Sequence, residues 1–214
     1  TANSKVGRLI SPCLFFHLKG QTMTPTSKLE AINTLLATIG ESPVNSLNSG
    51  LVEASSAEQT LNNVSRDFQA QGWSFNTEIT FSLSPDASDM LTLPANCLHV
   101  DTIHNRVSKT SDLVQRGNKM YDRVKNTYAI GTAVQVDMVV LLEFEEMPET
   151  ARRYVAIKAA RILQDRVLGS EALHSYNSQD EMMAWSNVLQ NEADVQDFNI
   201  FDNYETDKIA HYKR

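Results

Sequence analysis

The sequence predicts an α+β fold, a helical bundle formed by N- and C-terminal helices packed beside an antiparallel β unit that is sandwich or barrel-like. Three observations predict it. Apolar periodicity runs helical, then two-residue, then helical again, unlike the alternation of a parallel α/β sheet. Two helices with capping signals open the ordered part. The stretch Val134–Leu168 reads as one long strand, an acidic turn with a proline, and a long basic-edged helix.

The first helix starts at Ser27 and Glu30, which have capping-box spacing. Leu29, Ile32, Leu35, Leu36 and Ile39 form its apolar face, Gly40 ends it, and Pro43 blocks continuation. A second capping box at Ser55 and Glu58 predicts the next helix, with Ala57, Leu61, Val64 and Phe68 as a narrow apolar stripe and Gly72 as its stop. Short connections suggest a hairpin or small bundle.

From Phe75 the period becomes two. Ile79, Phe81 and Leu83 alternate with Thr80, Ser82 and Ser84, predicting a half-buried strand before the Ser84-Pro85-Asp86 turn. Short strands are expected at Met90–Leu93, Leu98–Ile103 and Lys119–Val124, with Arg116-Gly117-Asn118 as a turn. The strongest strand is Val134–Phe144, covered on both faces along its second half. Pro148 then serves as the first residue of a helix, with Glu145, Glu146 and Glu149 near its positive end. Ala151, Val155, Ala159, Ile162 and Leu163 face the core. Arg152 and Arg166 interrupt that face at its edges, so their heads must reach solvent or a carboxylate. Gly169-Ser170 separates this helix from an acidic one over 170–196. The implied division is a leader or flexible arm at 1–22, N-terminal helices at 23–74, an antiparallel β region at 75–145, C-terminal helices at 146–198 and an extended tail at 199–214.

Composition narrows the function. A 42% hydrophobic content is enough for a real core. A net charge of −7 disfavours binding by phosphate neutralisation and disfavours an anionic membrane surface. Residues 170–207 hold nine acids and no Lys or Arg, so against a net −7 the remainder sums to about +2. That run is either a solvated helix face or a surface that repels DNA or meets a basic partner. Cys13 and Cys97 suggest neither a disulfide framework nor a zinc site, and a reduced cytosolic site of synthesis follows. No run approaches the roughly 18 apolar residues of a membrane span. The first 22 residues carry Cys13-Leu14-Phe15-Phe16 after Lys5 and Arg8, too short for a secretory core. Met23 is the expected functional start, which leaves Cys13 and His17 without chemistry.

Motifs that carry catalysis are absent. There is no G-x-G-x-x-G, Walker A or G-x-S-x-G pattern. His99 and His104 lie five apart on an expected strand and so point to opposite faces. Cys97 reads as a small buried residue. Glu143 and Glu145 would share a strand face about 7 Å apart, a spacing compatible with inverting glycoside hydrolysis. Capping and dipole physics already call for acids at that place. Trp73, Phe75, Tyr121, Tyr128 and Tyr154 could stack on a sugar or base, but core and interface roles suit them as well.

A resemblance then emerges. Ala31-Ile32-Asn33, Leu36-Ala37 and Ile39-Gly40-Glu41-Ser42-Pro43-Val44 are similar to the A-x-N-x-x-L-A-x-I-G-E-x-P-V opening of the tail tubular protein A family, the adaptor (gatekeeper) ring proteins of T7-like short-tailed bacteriophages. Gly72-Trp73-Ser74-Phe75-Asn76, Tyr121-Asp122-Arg123 and Glu146-Met147-Pro148-Glu149 with Arg153, Tyr154, Lys158, Ala159 and Arg161 continue the likeness. It runs from about Leu29 to about Asp202 and departs at the leader and the tail. The resemblance implies a structural virion protein, not an enzyme and without a cofactor. It implies a dodecameric ring of this chain that joins the portal protein to the tail nozzle protein and passes double-stranded DNA without binding it specifically. It places the protein in the virion tail after synthesis in the bacterial cytoplasm, with no membrane partner. Glu146, Pro148, Glu149, Arg153 and Tyr154 become the corner that fixes a helix against the β unit. Glu192 and Asp194 become candidates for the channel lining or the subunit interface, where the acidic helix meets the basic-edged helix of a neighbour. Two other readings remain: a tail-associated polysaccharide or cell-wall hydrolase using Glu143 and Glu145, and an unrelated small binding domain.

Overall fold

The computed structural model describes residues 24–102 and 111–196. Four helices (α1 Lys28–Thr38, α2 Val52–Gln69, α3 Glu149–Val167, α4 Glu171–Gln196) enclose five strands in sequence: β1 Thr77–Leu83, β2 Cys97–Thr102, β3 Leu113–Arg116, β4 Lys119–Asp122 and β5 Val134–Val140. The fold is α+β, as the order of periodicities predicts. Helix α3 is the hub, packing against α1, α2 and α4. One core lies among the helices and is centred on Ile32, Leu35, Leu61, Phe68, Val155 and Ala159. A second lies in the β region around Leu83, Leu91, Val100, Met120, Val136 and Met138.

Among the described residues the β region holds two antiparallel sheets around one shared core. Antiparallel strands form a three-stranded sheet in the order β1-β5-β2, while β3 and β4 form a separate hairpin. Strand β5 occupies the centre, so its second half is buried at Met138, Val139 and Val140, matching the apolar turn of both phases there.

Ser27 caps α1 by accepting from the Glu30 amide at 3.2 Å, and Gly40 adopts φ +82° just past its end. The second helix departs from expectation. It begins at Val52, a turn before Ser55, and Leu51 holds the cap position. The Ser55 amide and hydroxyl both turn back to the Leu51 carbonyl at 3.1 Å, so Ser55 sits inside the first turn. The stop at Gly72 has two causes. Its φ is +76°, and an added Cβ would lie 3.1 Å from Val139 Cγ2, where α2 runs into β5.

Three strand expectations need correction. Ile79 is 73% exposed rather than half-buried. A bulge between Glu78 and Phe81 puts Thr80 at φ +56°, with its amide on Asp137 Oδ1 at 2.8 Å. Only Leu83 of β1 is then buried. Met90–Leu93 forms isolated bridges to Ala129 and Lys119 instead of a strand, though Leu91 and Leu93 are buried. Strand β5 ends at Val140, not Phe144, because the backbone of Leu141 and Leu142 bonds to Asn96 and Gln69. Residues 144–146 form a short 3-10 turn, and Pro148 caps α3 from just outside it. Cys13, His17, Ile103, His104 and the 199–214 tail lie outside the described residues. Among the described residues, no helix is long and apolar enough to cross a membrane.

Candidate assembly surface

The acids before α3 act on the start of α1. Glu149 accepts from the Thr26 amide at 2.8 Å and the Thr26 hydroxyl at 2.6 Å. Glu145 accepts from the Lys28 amide at 3.1 Å. Arg152 was expected to reach solvent or a carboxylate. It instead donates to three backbone carbonyls, those of Met147 at 2.7 Å, Thr26 at 3.1 Å and Glu145. The first amide of α1 and the Thr26 amide just before its cap are thereby satisfied by carboxylates at the approach to α3, and one guanidinium holds the crossing. Glu146 bends back to the Glu143 amide at 3.0 Å and holds the turn that Pro148 terminates.

Tyr154 is buried in an aromatic cluster. Its ring lies 5.2 Å from Phe68 and 5.0 Å from Trp185, and Trp73 stacks on Phe68 at 4.8 Å. The Trp73 indole donates to the Phe68 carbonyl at 2.8 Å. Aromatics from α2, α3 and α4 therefore meet at one point. Arg153, its neighbour in sequence, is exposed beside α4.

Two buried amides that sequence reasoning did not single out join the helices to the β region. Gln69 donates to the Leu142 carbonyl at 3.1 Å and accepts from the Leu142 amide at 2.8 Å. Asn76 donates to the Gln69 carbonyl at 2.9 Å and to the Val140 carbonyl at 3.0 Å. Both are almost wholly buried. The position of Gln69 among the buried residues of α2, one after Phe68, was the available signal: a polar residue on an apolar face needs partners.

The acidic helix does not present its acids together. Glu181 pairs with Arg161 of α3 at 2.5 Å, which raises the Arg161 pKa further. Glu192 accepts from the Ser74 amide and hydroxyl, both at 2.9 Å. Asp194 is exposed. Glu192 thus ties α4 to its own chain, while Asp194, two residues on, faces outward. Around Asp194 the outward side of α4 carries Tyr176, Met182, Met183 and Leu189, all exposed, among Ser175, Gln179, Ser186 and Gln190.

Glu143 and Glu145 do not share a strand face, because β5 stops before them. Cys97 is half-buried; burial pushes its thiol pKa up, against the smaller effect of its contact with the His99 carbonyl. Among the described residues no cluster of three or more His, Cys, Asp or Glu could hold a metal.

The sequence that builds this helix–sheet–helix architecture matches a family model described as tail tubular protein over residues 29–198. The chain belongs to the tail tubular protein family. It is 27% identical over 163 residues to Tail tubular protein A of Klebsiella phage KP34, an alignment covering 76% of this chain and 85% of the relative. The span agrees with the resemblance read from about Leu29 to about Asp202. A tail tubular protein is a structural component of the phage virion, and the corner and aromatic cluster lie inside the matched region.

Proposed function

We propose that this tail tubular protein is a head-to-tail adaptor. Twelve copies form a ring between the portal protein and the tail nozzle protein, and the ring surrounds the channel through which double-stranded DNA leaves. The observation that carries this reading is the family match across both the helical bundle and the β region. Two physical features support it. A net charge of −7 lets DNA pass without a phosphate-neutralising grip. The outward side of the 26-residue α4 offers methionine, tyrosine and leucine among small polar residues, a composition suited to burial against protein. Glu146, Pro148, Glu149 and Tyr154 act in this reading as the frame that positions the start of α3, Arg153 stands exposed beside them, and Asp194 lies at the lumen or subunit boundary. The hydrolase reading has less support, since Glu143 and Glu145 both lie beyond β5 and Glu145 accepts from the Lys28 amide.

The test is mass by light scattering of the purified chain with and without isolated portal rings, followed by imaging of the complex. A twelve-copy ring on the portal is the expected result. A chain that stays monomeric with portal present would refute the proposal.

A further inference from the structure

A groove of about 540 Å³ runs between the first two turns of α3 and the middle of α4. Ile157 and Ala184 form its apolar floor, and Met183, 67% exposed, overhangs it. Arg153 stands on one lip and Asp180 on the other, both exposed, and neither has a hydrogen-bond or ion-pair partner among the described residues. At the start of α2 the same chain carries the complement. Val52 is 77% exposed and Leu51 is 51% exposed, and Leu47 lies nearby on the same loop. Glu53 follows them, exposed and without a partner among the described residues.

The two features lie at opposite ends of the bundle. Gln69, at the end of α2, bonds to Leu142 just before α3, and Ser65 reaches Met147. Val52 is 17 residues earlier in the helix, about 25 Å away at 1.5 Å per residue. The groove lies at the α3 start, near the Gln69 end. One chain cannot fill its own groove with this knob across that distance. A second copy can, and the contact is then head-to-tail, the heterologous kind that repeats into a closed ring.

We infer that Leu51 and Val52 of a second copy of this chain occupy the α3–α4 groove, with Glu53 of that copy against Arg153. This rests on the ring reading above and names the contact that builds the ring. Charge complementarity selects the occupant: an acid beside the apolar knob faces the unpartnered guanidinium, and opposite charges across an interface fix register and exclude wrong partners. The neighbouring exposed residues Tyr176 and Met182 extend the contact toward the roughly 800 Å² per partner of a stable interface.

The test uses the full chain with Cys13→Ser and Cys97→Ser. One preparation carries Val52→Cys and another Met183→Cys; they are mixed with portal rings and oxidised. A control replaces the first with Ala37→Cys on the exposed side of α1. Ring formation is followed on the same samples by light scattering. The 52–183 disulfide is expected to form at least about tenfold more than the control. Arg153→Glu is expected to cut it by about tenfold and added Glu53→Arg to restore it. Rings that form without preference for the 52–183 pair overturn the contact and leave the ring reading intact. Absence of any ring overturns both. A 52–183 disulfide that appears only after removal of residues 197–214 would place the chain's own tail in the groove, and that also overturns the inference.

Discussion

Replacing Gln69 with leucine tests how the helical core is joined to the β core. The Gln69 side chain makes three hydrogen bonds, one to Ser65 Oγ and two to the backbone of Leu142. Leucine has similar volume and fills the same space, so no large cavity follows. The Leu142 amide and carbonyl lose their partners at the point where β5 ends. Each unsatisfied group in such a place costs about 1–3 kcal/mol. Two of them, offset in part by the added apolar contact, give about 2–4 kcal/mol. For a chain of this length that lowers Tm by roughly 6–12 °C. The assay is urea unfolding followed by both tryptophan fluorescence and far-ultraviolet circular dichroism. Trp73 and Trp185 report on the helical cluster, so the two probes are expected to separate in Gln69→Leu while coinciding in the natural chain. Gln69→Glu sharpens the reasoning. A carboxylate there would face the Leu142 carbonyl, and burial would raise its folded pKa. Its cost is then largest at neutral pH and shrinks as acid protonates it into a donor. A loss below about 0.5 kcal/mol in Gln69→Leu, the size of an ordinary surface change, would refute the junction argument.

Other predictions follow from the same geometry. Trp185→Ala removes the aromatic contact of α4 with Tyr154 and Trp73, and is expected to cost about 3 kcal/mol by urea unfolding, with α4 amides exchanging faster than those of α3. Glu149→Ala releases the Thr26 amide and hydroxyl and is expected to cost about 1–2 kcal/mol, read by calorimetry; unchanged exchange at Thr26 would count against it. At Asp122, burial pushes the carboxyl pKa up, but the backbone amides of Lys125, Val124 and Asp112 and the Lys125 ammonium outweigh it and hold the pKa below the usual range. A depressed folded pKa stabilises above the unfolded value and is lost as pH falls through the folded one. Asp122→Asn should therefore be less stable than the natural chain at neutral pH, with the gap closing below about pH 4.

What the sequence made legible was whatever depends on neighbours along the chain. The cap at Ser27, the stop at Gly40, the stripe through Ala57, Leu61, Val64 and Phe68, and the double-sided burial of β5 are all set by local periodicity. The misses come from partners distant in sequence. Strand β5 ends early because Gln69 and Asn96 take the next backbone groups, and no pattern within 134–144 shows that. Ile79 sits in the correct alternation but within a bulge, where the Thr80 amide donates to Asp137. The edge position of Arg152 calls for solvent or a carboxylate, yet the carbonyls it reaches belong to the crossing of α1 over the turn before α3. The contacts of Glu149 and Glu145 depend on Thr26 and Lys28, more than 110 positions away, and no local motif shows them.

The acidic helix shows why a charge count does not define a face. Five acids lie on α4, and composition alone suggests one negative surface. Packing divides them. Glu181 meets Arg161 and Glu192 meets Ser74, so these two hold the helix to its own chain. Glu171, Asp180 and Asp194 remain exposed, at the helix start and along one edge. Between them the solvent side is mostly uncharged, with Met182 and Met183 at its middle. A wall built to repel DNA needs charge along that side, whereas a surface destined for another subunit needs the charge elsewhere. The distribution therefore favours protein contact for the outward side of α4 and leaves Asp180 and Asp194 to set its register. Reversing both exposed acids together, with Glu192 untouched, separates the cases. A lumen role predicts intact rings that retain DNA, while an interface role predicts failed rings before any DNA enters.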